Sequence, residues 1–383
     1  MRETYLDHAS TTPPLPAALE AMARVARDVF ADPSRLYGAA RVARIELDRA
    51  RATVGDAIGA RSEEIVFTSG GTESCNLAIL AGARAGVAAR KPARIVVSAV
   101  EHTAVLEAAR SLHGFEVVEV PVDPMGMLDL EALRAAVGDG AALVSIQHAN
   151  QEVGTIQPVA EGARIAREAG VLVHTDACMT VGNVPVSVPE LGVDLLSGSS
   201  HKFYGPKGAG FLWARRGVRV RPTLPGDDRE RRRRSGMENL PAIAGMAEAL
   251  SVRVGENEAE GPRLRALADR IRDELPSRIP DTVLHGHPTE RLPGVVAFSF
   301  VYVEGEALLL QLDARGIAVH SGSSCTSSTE EPSHVLAAMG ALTHGSVRVS
   351  LGRETSEEDV VYLLDELPGV VSKIRAMSGA PGR

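Results

Sequence analysis

The sequence predicts an α/β protein: a larger domain built on a mainly parallel seven-stranded sheet, followed by a smaller α+β domain. Three observations carry this. Between about residues 60 and 215, seven short β-rich runs alternate with Ala-rich helical stretches, the pattern of strands covered by helices on both faces. From about residue 281 the alternation gives way to sparser strands set between helices. The 383-residue length is too great for one small core and suits two.

In chain order the seven runs are EIVFTS (64–69), RIVVS (94–98), EVVEVPV (116–122), ALVSIQ (142–147), VLVHTD (171–176), DLLSGS (194–199) and AGFLW (209–213). Amphipathic segments at 103–112, 129–137 and 159–169 lie between several of them and read as helices. The stretch 217–236, GVRVRPTLPGDDRERRRRSG, is polar, charged and broken by Pro and Gly, so a loop is expected. A long helix is expected over 240–277, interrupted near Gly255 and Gly261–Pro262. Beyond it come strands at 295–302, 317–320 and 346–350, and helices at 305–314, 332–339 and 356–376.

Composition narrows the function classes. The net charge of −8 argues against general nucleic-acid binding. No run approaches the ~18 apolar residues of a membrane span, and the start, MRETYLDHASTTPP, lacks a secretory pattern, so a cytoplasmic protein is expected. Cys75, Cys178 and Cys325 are sparse and odd in number, which fits a reducing compartment. Their spacing contains no CxxC, and no metal site is expected. The basic residues are nearly all Arg; the lysines are Lys91, Lys202, Lys207 and Lys373.

That short list matters because Lys202, in SGSSHKFYGPKG (197–208), follows a small-residue turn at the end of an apolar run. The carboxyl ends of strands are where α/β folds place ligands. A lone loop lysine is ordinarily just solvated, but one held at such an edge can form an imine with pyridoxal phosphate (PLP). TSGGTES (68–74) offers Gly70, Gly71 and Thr72 at a helix start, an anion cradle or a plain cap, and Ser199 and His201 could join it. Asp176 closes an apolar strand, where a carboxylate is either structural or paired with a cation such as a pyridinium. His102 also follows a strand and could stack on a cofactor and move protons. Cys325 lies in HSGSSCTSSTEEPSHVL (320–336), a polar setting wrong for a packed thiol and suited to a nucleophile, whereas Cys75 and Cys178 read as structural. Arg348, in the alternating strand SVRVSLGR (346–353), is either a surface residue or an inward carboxylate clamp.

These motifs, in this order, resemble the cysteine desulfurases of the NifS/IscS type (group I), class-V aminotransferases of the fold-type I PLP enzymes. YLDHASTTPP, EIVFTSGGTES, EHTAVLE, HANQEVGTIQP, HTDA, SSHKFYGPKG, RSGMEN, the Cys325 segment and VRVSLGR carry the likeness almost end to end. The resemblance implies a large domain over 15–255 and a small domain formed by 1–14 and 256–383. It implies that Lys202 forms the imine, Asp176 meets the pyridinium and His102 stacks on the ring. Gly71, Thr72, Ser199 and His201 would hold the phosphate, and Asn150 and Gln151 would contact the cofactor. Arg348, with Asn150, would take the carboxylate of L-cysteine. Cys325 would be the nucleophile and persulfide carrier, converting L-cysteine to L-alanine and passing sulfur to an acceptor protein. A homodimer is implied, with no direct role for nucleic acid or membrane.

Several positions depart from that pattern. Gln151 replaces an Asn, and Met179 replaces a Gln that would donate to the cofactor's phenolic oxygen. Met237 replaces a Thr that reaches the partner's phosphate, PGDDRERRRR replaces a Gly-rich stretch, and Ala31 and Tyr37 replace Asn and His. These changes predict weaker cofactor retention or a specialised member. Arg231–Arg234 either compensate for the lost phosphate contact or form a solvated charge run, the ordinary reading of such a run.

Overall fold

The computed structural model describes residues 3–321 and 332–377. The chain begins with β1 (Thr4–Tyr5), α1 (Pro16–Asp28) and α2 (Gly38–Ala57). The large sheet is then built from β2 (Ile65–Thr68), β3 (Arg94–Ser98), β4 (Glu116–Val120), β5 (Leu143–Ser145), β6 (Leu172–Asp176), β7 (Leu195–Ser199) and β8 (Gly210–Ala214). Each of the seven expected runs supplies one of these strands. The order is β2-β8-β7-β6-β5-β3-β4, parallel from β7 to β4, with β8 antiparallel to both of its neighbours. Between them run α3 (Gly71–Ala88), α4 (Thr103–Arg110), α5 (Leu130–Gly138), α6 (Val159–Glu168) and the short α7 (Val188–Leu191).

The central strands are buried on both faces, so their residues read as continuous Val/Ile/Leu runs instead of alternating ones. One hydrophobic cluster, including Val96, Val144, Val173, Leu196 and Phe211, packs on the face covered by α1, α2 and α6. Another, including Leu77, Ile79, Ile95 and Leu195, packs under α3 and α4. The remaining elements are α8 (Arg229–Arg232), α9 (Leu240–Arg278), β9 (Thr282–His285), β10 (Val295–Phe300), α10 (Gly305–Asp313), β11 (Ile317–Ala318), α11 (His334–Ala338), β12 (Ser346–Ser350) and α12 (Glu357–Met377). β12-β10-β9 is an antiparallel sheet, and β1 pairs with β11, tying the chain's start to its C-terminal third.

Two local expectations are corrected. The long helix is not interrupted: α9 is continuous through Gly255, Gly261 and Pro262. Its first half buries Ile243, Met246 and Leu250 in the large-domain core, and its second half buries Ala268, Ile271 and Leu275 against β10 and α12. Anchoring in two cores offsets the roughly 3 kcal/mol that an internal proline costs. The second correction concerns the arginine run, which is solvated only at Arg231 and Arg232, while Arg233, Arg234 and the preceding Arg229 are partly buried and paired. Arg229 pairs with Asp32, Asp227 and Glu238, Arg233 donates to the carbonyls of Glu63 and Ile65, and Arg234 pairs with Glu73. Between them Glu230 is buried against Arg51, both guanidinium nitrogens at 2.7 Å, and accepts from Phe67 N–H. Glu230, Arg231 and Arg232 take left-handed φ of 47°, 56° and 63°, strain that this pairing holds in place.

Candidate active site

The carboxyl ends of β2, β3, β5, β6 and β7 converge on one cavity of about 180 Å³. Each candidate is there because a strand has just ended. Gly71 and Thr72 follow β2 and open α3. His102 follows β3 and N-caps α4, its Nδ1 accepting from Ala104 N–H at 3.0 Å, which leaves the ring proton on Nε2. Gln151 follows β5, Asp176 closes β6, and Ser199 closes β7, with His201 and Lys202 in the 3-10 turn behind it. All of these residues line the cavity. Thr72 and His102 are exposed to it, whereas Asp176 and Ser199 are buried beneath it.

The anion cradle is built from backbone. Gly71 N–H donates to Ser199 Oγ at 3.2 Å, and a Cβ at Gly71 would sit 2.8 Å from Cys178 Sγ and 3.1 Å from Ser199 Cβ. The N-terminus of α3 can approach β7 this closely only with glycine there. An adjoining cavity of about 350 Å³ continues past Ser69–Glu73, His201 and Lys207. The lysine turn is fixed on its far side by Tyr204, held at φ 64°. Its N–H donates to Thr12 Oγ1 at 2.7 Å, and its hydroxyl accepts from Arg353 N–H at 2.6 Å.

Lys202 Nζ donates to the carbonyls of Ala9 at 2.5 Å and Ser10 at 3.0 Å. Burial first, then the Arg348 guanidinium, bring its ammonium down to about 8. His201 is brought down to about 4 by burial and the nearby lysines, so it is neutral at pH 7. Arg348 does face inward. Its Nη2 donates to Asp7 Oδ1 and Ser10 Oγ, both at 2.6 Å, and its Nη1 to Gln151 O at 2.9 Å. Its Nε is buried with no partner among the described residues.

Beneath Asp176 lies a polar layer that sequence reasoning missed. Ser145 Oγ donates to Glu101 Oε1 at 3.1 Å and meets His174 Nδ1 at 2.9 Å, and His174 Nε2 meets Ser197 Oγ at 2.9 Å. Burial holds His174 down at about 4, and burial with the charge of Asp176 pushes Glu101 well above the usual carboxylate range. His174 is therefore neutral at pH 7. His174 has a faint signal, sitting two residues before Asp176 on the same strand face. Asp7 and Ser10 lie in the quoted YLDHASTTPP motif, but nothing in their spacing points to Arg348.

One candidate is turned elsewhere. Asn150 is fully buried, its amide donating to Val100 O at 3.1 Å and its oxygen accepting from Glu152 and Val153 N–H at 2.8 and 2.9 Å. Its side chain is spent on the loop and does not line the cavity, because the tight turn after β5 needs those acceptors and donors satisfied. Gln147 lines the cavity instead, its amide nitrogen anchored on the same Val100 carbonyl at 2.6 Å. Met179 also lines it, without a hydrogen-bond donor to offer. Cys325 lies outside the described residues. Among those residues no helix is long and apolar enough to cross a membrane.

Comparison with known proteins agrees with this arrangement. The aminotransferase class-V family matches residues 4–363. The cysteine desulfurase IscS of Dictyoglomus turgidum is 46% identical over 382 residues, covering 98% of this chain and 96% of that protein. The cysteine desulfurase IscS of Methanosarcina thermophila is 44% identical, covering 98% and 94%. A solved NifS-like protein superposes with a TM-score of 0.90 at 35% identity, covering 97% of this chain and all of that one. The chain belongs to the class-V aminotransferases and, within them, to the cysteine desulfurases of the NifS/IscS type.

Proposed function

We propose that this chain converts L-cysteine to L-alanine with PLP, moving the sulfur onto Cys325 as a persulfide for delivery to an acceptor protein. The observation that carries the reading is the convergence on one cavity of a lysine amine, a buried carboxylate and an anion cradle. Their spacing in sequence gives no reason to meet unless a single ligand spans them. The residues fit PLP. The α3 N-terminus, Thr72, Ser199 and His201 would hold the phosphate, Asp176 the ring nitrogen and Lys202 the aldehyde carbon. His102 would face the ring. When bound, PLP supplies the electron sink that makes the substrate Cα–H acidic.

The chain's own groups do the rest. Arg348 does not line the cavity in this structure; it would take the substrate carboxylate once Asp7 yields part of its hold, its buried Nε having no partner among the described residues. With its ammonium near 8, about a tenth of Lys202 is neutral at pH 7, enough for it to accept the Cα proton. The Cys325 thiol takes over the substrate sulfur: cysteine and a thiol become alanine and a persulfide, with no atom unaccounted for. Cytoplasmic residence fits the free, buried Cys75 and Cys178. The two-domain division at 15–255 and 1–14 with 256–383 would place its boundary inside α9.

The homodimer is supported by apolar side chains left in the open. Phe30 and Leu36 are 83% and 94% exposed beside Tyr37, and Met237 is 62% exposed next to Glu238. Arg229 clamps Asp32 to Glu238, so these side chains sit on adjoining segments. Such a patch is covered in a stable assembly. Sedimentation should give twice the chain mass, and Leu36→Glu should lower it.

The activity is tested by incubating PLP-loaded protein with L-cysteine and following alanine together with the mass of the Cys325 peptide. One alanine per added sulfur atom is expected, with both lost in Cys325→Ala. Alanine formation undiminished in Cys325→Ala would overturn the proposal.

A further inference from the structure

Cys75 and Cys178 are remote in sequence, yet the fold brings them together. Cys75 sits one turn into α3 behind the anion cradle, and Cys178 stands two residues past Asp176. The two Sγ atoms and an Asp176 carboxylate oxygen all lie within 4.8 Å of one another. All three residues line the cofactor cavity, so the cluster has an entry path. The hydrogen bond of Cys178 Sγ is a long one, 3.9 Å to Ser197 O. The bland alternative is a pair of thiols packed as small apolar groups. It accounts for the burial of both thiols, and Cys178 N–H donating to Asp176 Oδ1 at 2.9 Å brings the carboxylate beside them; what it leaves unused is a set of two sulfurs and one oxygen in the cavity wall.

Two sulfurs and one oxygen form three corners of a tetrahedron. Zn–S bonds of about 2.3 Å and Zn–O bonds of about 2.1 Å set such ligand atoms roughly 3.5 Å apart, so little closure is needed. The Asp176 oxygen offered to a cation is also the group offered to the PLP ring nitrogen, and it cannot serve both.

We propose that the cofactor cavity is also a site for a thiophilic divalent cation such as Zn²⁺ or Cd²⁺, held by Cys75, Cys178 and Asp176, and that cation and PLP exclude each other. The exclusion rests on the function proposed above; the cation site does not. Binding replaces two S–H protons by two metal–sulfur bonds and releases both protons to solvent, with no redox change. Such a site would make cofactor loading sensitive to free thiophilic metal.

The test uses full-length Cys325→Ser protein, which removes the third thiol, with Cd²⁺ as the probe. The PLP-free protein should bind one Cd²⁺ per chain with a thiolate-to-metal absorption band. Cys75→Ala and Cys178→Ser should each weaken it by roughly 100-fold, as expected for losing one of three ligands. PLP-loaded protein should show no band, and Cd²⁺-loaded protein should take up PLP at least about tenfold more slowly, Asp176 being the shared group. Lys202→Ala protein should bind Cd²⁺ normally while failing to retain PLP covalently, so the two readings fail separately. Crystals soaked in Cd²⁺ need no variant: an anomalous peak among the three side chains supports the site. A peak elsewhere, a band that survives both cysteine changes, or equal Cd²⁺ binding with PLP in place would overturn the proposal.

Discussion

The two sides of the cavity are built on opposite electrostatic plans. On the cofactor side the groups are held by backbone, without an ion pair among the described residues: Thr72 and His102 face open space, His102 Nδ1 accepts from Ala104 N–H, Asp176 Oδ1 accepts from Cys178 N–H, and Asp176 sits over a layer in which His174 is neutral. On the substrate side the chain satisfies its own cations. Lys202 leans on the Ala9 and Ser10 carbonyls, and Arg348 is held by Asp7, Ser10 and Gln151. The first side is preorganised and waits for a ligand of fixed shape. The second is held by a surrogate carboxylate that the substrate must displace. Preorganisation lowers the cost of binding, whereas a surrogate trades affinity for a stable empty site.

The difference can be broken by removing its centre. Lys202→Ala should abolish covalent cofactor attachment and lower kcat by at least about 10³-fold, as for other residues that form the covalent link. Loss of the visible absorption of PLP-loaded protein is the check. A smaller effect comes from pH. Cofactor capture needs the neutral amine, and Lys202 titrates near 8, so capture should rise with pH and level off above that value. At pH 7 it should run about tenfold below the plateau. Arg348 depresses this lysine, so Arg348→Met should move the midpoint upward; stopped-flow absorbance across pH measures both.

Relieving the surrogate sharpens the comparison from the other side. Asp7→Asn keeps a hydrogen-bond acceptor near Arg348 but removes the competing charge. KM for L-cysteine should fall by about 3-fold, well under 1 kcal/mol, with kcat changed less. An increase in KM would mean that Asp7 positions Arg348 and does not compete with the substrate. The smallest effect is expected at Glu101→Gln. Burial and the charge of Asp176 favour the protonated acid there, so its amide should leave activity and thermal stability nearly unchanged, within about 0.5 kcal/mol. A large loss would mean that a second charge lies beneath Asp176.

How much of this could be read in advance follows the same division. The cofactor side follows strand ends, and strand ends are marked in the sequence by where apolar runs stop. Gly71, Thr72, His102, Asp176, Ser199 and Lys202 were therefore legible, as were the seven strands. The substrate side depends on β1 pairing with β11 and on the β12 register, contacts between the first and last parts of the chain. Asp7 and Ser10 carried no local sign of meeting Arg348. Asn150 is spent on its own turn, and a side chain so used reads the same in sequence as one offered to a ligand. The arginine run is solvated at Arg231 and Arg232 but not at Arg233 and Arg234, whose partners Glu63 and Glu73 lie far from it in sequence. Gly255 and Pro262 suggested a break that packing at both ends of α9 overrides.

The central claim is that one amine among Lys91, Lys202, Lys207 and Lys373 captures the cofactor. It is tested most directly by reducing PLP-loaded protein with borohydride and mapping the modified lysine by peptide mass spectrometry. Modification confined to the peptide carrying Lys202, in near-stoichiometric yield, is the predicted result. A label on Lys207 or another lysine, or none on protein that still turns over L-cysteine, would contradict it.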